Sequence, residues 1–89
     1  MTTQSQRDRW ARNGILRREL LDLYARHIAG KTGVLLIVET VLLDNGCVLH
    51  RISVEHNGKT IVPSFSADLK TLDVPACKAA IVTMRNLLS

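Results

Sequence analysis

Val34-Leu35-Leu36-Ile37-Val38-Glu39-Thr40-Val41-Leu42-Leu43 decides the fold. Valine, isoleucine and threonine fill half of these ten positions, and Asp44-Asn45-Gly46 follows as a turn signal, so the stretch reads as a β-strand and not as a turn of buried helix. Side chains alternate across a strand, yet neither alternating set here is polar. Leu35, Ile37, Val41 and Leu43 fall on one face, and Val34, Leu36, Val38 and Leu42 on the other. Both faces call for burial.

Working outward, Asn45-Gly46 and Asn57-Gly58 are hairpin signals of the type I′ kind, which makes residues 34–65 a three-stranded antiparallel meander. With two-residue loops at both turns, Leu43 faces Val48, Val41 faces His50, Glu39 faces Ile52 and Ile37 faces Val54; across the second turn Val54 faces Ile61 and His50 faces Phe65. Pro63 lacks a backbone donor, so the third strand is expected to be short and Ser64 to Thr71 to be loop, with Ser66 and Asp68 as turn formers.

Helices flank the meander. Leu16, Leu20, Leu23, Tyr24 and Ile28 repeat at helical spacing, Ser5 and Asp8 form an expected capping pair, and Gly30 supplies a left-handed stop. Asn13-Gly14 predicts a bend or break, leaving 15–29 as the firm part. Asp73 or Thr71 caps a last helix, with Pro75 in its first turn and Cys77, Ile81, Met84 and Leu88 as one stripe. The expected class is α+β, in the order α-β-β-β-α, with both helices on one sheet face. Residues 1–14 read as a basic N-terminal arm or helix extension and 15–89 as the domain.

Eighty-nine residues suffice for one modest core, and with Trp10, Tyr24 and Phe65 the only rings that core is aliphatic. No apolar run approaches the span of a bilayer and the start of the chain is polar, so no membrane is expected and the location expected is cytoplasmic. Cys47 and Cys77 stand thirty positions apart with no C-x-x-C spacing and read as two buried free thiols, and His27 and His56 have no ligand partner at metal-binding spacing, so no zinc site, redox motif or cofactor is expected. Ala25-x-x-x-x-Gly30-Lys31-Thr32 fits a loose phosphate-loop pattern, but here a helix ends and a strand begins, the reverse of what phosphate cradling needs. Glu39 and His50 are expected as diagonal neighbours in the core. With no third orienting group or nucleophile they read as a structural pair, so no catalytic residue is assigned and no enzyme is expected.

Charge is placed unevenly. Residues 1–31 hold seven basic side chains, six of them arginine, against three acids, whereas 32–89 hold five of each. Arg7, Arg9, Arg12, Arg17 and Arg18 have few acids nearby and are the expected contacts to nucleic-acid phosphates; the alternative is an acidic protein partner on this basic helix or on the apolar strand. The strand lies at the edge of a 1-2-3 meander, and a long apolar edge is an aggregation hazard unless covered. The face carrying Val34, Leu36, Val38 and Leu42 is therefore the expected homodimer or partner interface.

The order helix, three strands, helix over residues 15–88 is similar to the double-stranded-RNA-binding domain. Val54-Glu55-His56-Asn57-Gly58-Lys59-Thr60 resembles the second hairpin of that family, and Lys78-Ala79-Ala80 its alanine-rich second helix. The resemblance implies RNA contact through the first helix, the loop between strands one and two, and a lysine cluster opening the second helix. In this chain the corresponding positions hold the arginine-rich helix, Asp44-Asn45-Gly46, and Asp73 and Pro75 with Lys70 and Lys78 nearby.

Overall fold

The computed structural model describes residues 3–88. Its elements are α1 (Gln4–Leu23), β1 (Val34–Leu42), β2 (Val48–His56), β3 (Lys59–Ser66) and α2 (Val74–Leu88), an α-β-β-β-α chain whose single antiparallel sheet has the strand order β1-β2-β3.

The capping pair at the start of α1 lies two residues earlier than Ser5 and Asp8. Gln6 N–H donates to Thr3 Oγ1 at 3.1 Å and Thr3 N–H donates to Gln6 Oε1 at 3.0 Å, a reciprocal box that satisfies two donors at once. Asp8 instead accepts from Gln4 Nε2. The helix runs unbroken through Asn13-Gly14, so residues 4–14 belong to the same helix as the rest. The expected break is absent because the Asn13 amide does not compete for the helix backbone: it is buried and donates across to Leu69 O. Past Leu23 the helix widens into a π turn, Tyr24–Ile28, closed by Ala29 N–H donating to Tyr24 O at 2.8 Å, and this turn carries Ile28 into the core. Gly30 (φ 76°) ends it in the left-handed conformation, and residues 30–33 lead into a strand as expected.

The first hairpin corrects the register. Gly46 N–H donates to Leu43 O, Leu43 N–H donates to Cys47 O, and Gly46 takes φ 83°. This is a three-residue loop, a turn followed by a left-handed bulge residue, and not a two-residue one. Each partner moves by one: Leu42 pairs with Val48, Thr40 with His50, Val38 with Ile52 and Leu36 with Val54. A one-residue slip exchanges the two faces of a strand. The core face of β1 is thus Val34, Leu36, Val38, Thr40 and Leu42, while Leu35, Ile37, Glu39, Val41 and Leu43 look the other way.

The second turn is as expected, with Asn57 and Gly58 both at positive φ and His56 paired with Lys59. Beyond it the pairing shifts twice, to Val54 with Val62 and Ile52 with Phe65, and β3 continues to Ser66. Pro63 does not end the strand because it sits within the second of these shifts, between the Val62 and Phe65 pairs, where it is itself unpaired and no ladder donor is required. Both bulged neighbours, Val62 and Phe65, are buried. The segment after β3 is bound to β2: Ala67 N–H donates to His50 O, and His50 N–H donates to Asp68 Oδ1. Asp73 caps α2, accepting from Ala76 N–H. The buried stripe of α2 is Cys77, Ala80, Ile81 and Met84, with Leu88 left exposed.

The core joins Leu20 and Ile28 from the first helix, Ile52 and Val54 from β2, Val62 and Phe65 from β3, and the α2 stripe. From β1 only Val34 belongs to it, with Leu36 packed against it. The other end of that strand is bare: Val38 is 53%, Leu42 74% and the neighbouring Val48 51% exposed.

Candidate nucleic-acid interface

The five arginines of α1 do not form one patch. At 3.6 residues per turn, Arg7 and Arg18 fall within about 20° of one another around the helix, while Arg9 lies about 160° from Arg7, on the side where α1 meets α2. Arg17 is half-buried and its Nε is buried without a hydrogen-bond partner. What gathers Arg9 and Arg12 is a cleft between the first turns of α1 and α2, lined also by Ser5, Gln6, Asn13, Leu16, Val74 and Lys78. Among these residues there are three cations and no carboxylate.

The second cleft, which holds Arg17 and Arg18, differs in that Glu19 and Asp22 share it. Glu19 is itself engaged, accepting from Arg85 Nη2 across the helix pair. Arg18, Asp22 and Arg26 are four residues apart in turn, the spacing at which side chains on one helix face meet. The α2 side of α1 is therefore the one where the cations line a cleft that no carboxylate shares. Lys78 lies off the apolar stripe of Cys77, Ile81 and Met84, but that it joins Arg9 and Arg12 depends on how the helices cross, which no local pattern encodes.

Lys70 is held elsewhere, its ammonium 5.0 Å from the centroid of the Trp10 ring. Such a contact is worth about 0.5–1 kcal/mol at an exposed site and helps fix the 67–73 segment on α1.

Glu39 and His50 are not neighbours in the core. The register places Glu39 opposite Arg51 on the outer face, and His50 opposite Thr40 on the core face, with Thr40 Oγ1 and His50 Nδ1 3.4 Å apart. The structural pair expected from the sequence rested on the two-residue loop and falls with it. Of the four residues expected at an interface, Val34 and Leu36 are taken up by the chain's own core, whereas Val38 and Leu42 remain open.

Among the described residues no helix is long and apolar enough to cross a membrane, and no group of three or more histidine, cysteine, aspartate or glutamate side chains is placed to hold a metal ion. No family model, curated protein or solved structure matches the chain.

Proposed function

We propose that the chain is a small, non-enzymatic, dimeric module that associates with nucleic acid through phosphate contacts from Arg9, Arg12 and Lys78, with Arg7 and Arg18 adding to the surrounding field. The observation that carries this reading is the cleft in which those first three side chains converge without a carboxylate. Guanidinium groups suit phosphate because their planar forks donate two parallel hydrogen bonds. The element order supports the reading, being that of the double-stranded-RNA-binding domain, as does the presence of a lysine in the first turns of α2. Trp10 is half-buried under Lys70, which favours recognition of a backbone over stacking of unpaired bases.

The test is fluorescence anisotropy with short duplex RNA and duplex DNA at low salt, using the full chain and the triple substitution Arg9→Gln, Arg12→Gln, Lys78→Gln. Binding that weakens with rising salt and is lost in the triple variant is the expected result. An acid-rich peptide that binds the same cleft while both duplexes fail would transfer the site to a protein partner, and absence of all binding would end the reading.

A further inference from the structure

The two edges of the sheet are built differently. β3 carries Pro63, two register shifts and Lys59, the devices by which edge strands avoid pairing. β1 has none of them: its nine residues pair with β2 without a register break, and Glu39 is its single charge, set opposite Arg51 of the same chain.

The free backbone of β1 can be assigned. Leu43 N–H donates to Cys47 O, and Asn57 N–H donates to Gly33 O, so the odd-numbered residues of this strand turn their polar groups toward β2. Because that direction alternates, Val34, Leu36, Val38, Thr40 and Leu42 point N–H and C=O at the open edge. These same residues put their side chains on the core face, where the Leu42 end is bare.

We infer that β1 pairs antiparallel with β1 of a second copy about a twofold axis at Val38, joining two three-stranded sheets into one of six strands. The inference deepens the dimeric part of the proposed function by naming the edge and the register. Val38 is the midpoint of the strand, so this axis overlaps all nine residues and every outward N–H finds a carbonyl. Leu36 then meets Thr40 of the second copy, and Leu42 meets Val34. Glu39 falls opposite Ile37 of the second copy, whereas an axis one residue later would set the two Glu39 carboxylates face to face, which like charges disfavour. The antiparallel arrangement also lays the bare Leu42 end of each strand beside the buried Val34 end of the other. Leu35, Val38, Leu42 and Leu43 leave on the order of 400 Å² of apolar surface open along this strand on each copy, part of which the second strand covers together with the free backbone of the edge. A twofold normal to the sheet keeps both helix layers on one side and duplicates the basic cleft there.

The experiment is sedimentation equilibrium of the full chain over a range of concentrations, alongside Val38→Lys and Val38→Pro, with circular dichroism and a urea melt as fold controls. Val38 is half-exposed and its N–H does not serve β2, so both variants are expected to fold. The parent is expected to be a dimer. Val38→Lys, which brings two ammonium groups to the axis, and Val38→Pro, which removes the central donor, are each expected to raise the dissociation constant at least about tenfold. In a background of Cys47→Ser, Val38→Cys is expected to cross-link to itself under mild oxidant, since an opposed pair lies within disulfide reach. A parent that is monomeric throughout overturns both this inference and the dimeric reading. A dimer indifferent to both Val38 variants overturns this inference and leaves a dimer through another surface. Duplex binding by the Val38 variants is read separately, because neither touches the cleft of Arg9, Arg12 and Lys78.

Discussion

The side-chain amide of Asn13, in the middle of α1, donates to the backbone carbonyl of Leu69 at 2.5 Å, tying the helix to the segment between β3 and α2. Asn13 is buried, so its removal leaves a carbonyl to find another donor or go without. Asn13→Ala is expected to destabilise the chain by about 1–3 kcal/mol, measured by urea denaturation. The Lys70–Trp10 contact depends on the same segment, and Trp10 fluorescence is expected to shift in the variant even where the chain remains folded.

The loop between the first two strands offers a sharper test. In the chain as it stands, Asp44, Asn45 and Gly46 form a three-residue loop closed by Leu43 and Cys47. Deleting Asp44 leaves Asn45-Gly46 between the same two residues, which is the preferred two-residue hairpin loop and preserves the pairing of Val38 with Ile52. Stability within about 1 kcal/mol of the parent and a retained proton contact between Val38 and Ile52 are expected. An unfolded deletion variant, or one with Ile37 opposite Ile52, would contradict the assigned register.

Why the sequence conveyed the order of elements but not this register follows from β1 itself. Register is pinned where only one face of a strand is apolar, because a slip would then bury polar groups. Here either slip buries aliphatic side chains, and Asp44-Asn45-Gly46 suits both loop lengths, so the pattern is silent. Asn57-Gly58 was legible because the flanking β2 has Ile52 and Val54 on one face against Arg51 and Glu55 on the other. The shifts around Pro63, the π turn at Tyr24–Ile28 and the meeting of Lys78 with Arg9 and Arg12 are set by packing between distant segments, and nothing local foretells them.

Gly33 joins the first helix to the sheet at a point with no room. It sits at φ 72°, its carbonyl accepts from Asn57 N–H at 3.1 Å, and a Cβ there would strike the Asn57 side-chain oxygen. At Gly46, also left-handed, a Cβ would meet open space. Gly46→Ala is expected to cost about 1–2 kcal/mol from backbone strain alone. Gly33→Ala is expected to cost at least as much, with a small addition because the Asn57 side-chain amide must also turn aside. Equal urea midpoints for the two variants would show that the contact with Asn57 carries no weight.

Cys77 is buried as the sequence suggests, whereas Cys47, placed beside the open loop of the first hairpin, is exposed and not buried, and the two are expected to differ in reactivity. Burial among apolar neighbours pushes the Cys77 thiol above its ordinary value of 9.0, and the nearby Glu19 carboxylate pushes it the same way. Its S–H is directed at Leu16 O, at 3.8 Å. Iodoacetamide at pH 8 should modify the exposed Cys47 and spare Cys77 until the chain is unfolded. The linkage has a definite sign: above pH 9 the unfolded chain loses this proton before the folded one does, so the folded state binds more protons and stability falls as pH rises. That contribution is complete below pH 9, and Cys77→Ala, whatever its cost in packing, should flatten the alkaline slope of the urea midpoint.

The arrangement of arginines around α1 separates two surfaces that a count of charges merges. If phosphates bind in the cleft with Lys78, then Arg9→Gln with Arg12→Gln removes two direct contacts, whereas Arg7→Gln with Arg18→Gln removes the same formal charge from the other side of the helix. Each neutralised phosphate contributes about 0.9 to the slope of log K against log salt on duplex DNA, so the first pair should lower that slope by nearly 2 and the second by much less. Arg18 shares its cleft with Glu19 and Asp22, whereas Arg12, though Asp8 stands four residues before it, has no carboxylate in its cleft. Equal losses from the two pairs would mean that the chain attracts polyanions by net charge alone and that the cleft is not a site. A larger loss from Arg7 and Arg18 would move the site to the outer face of α1, away from α2.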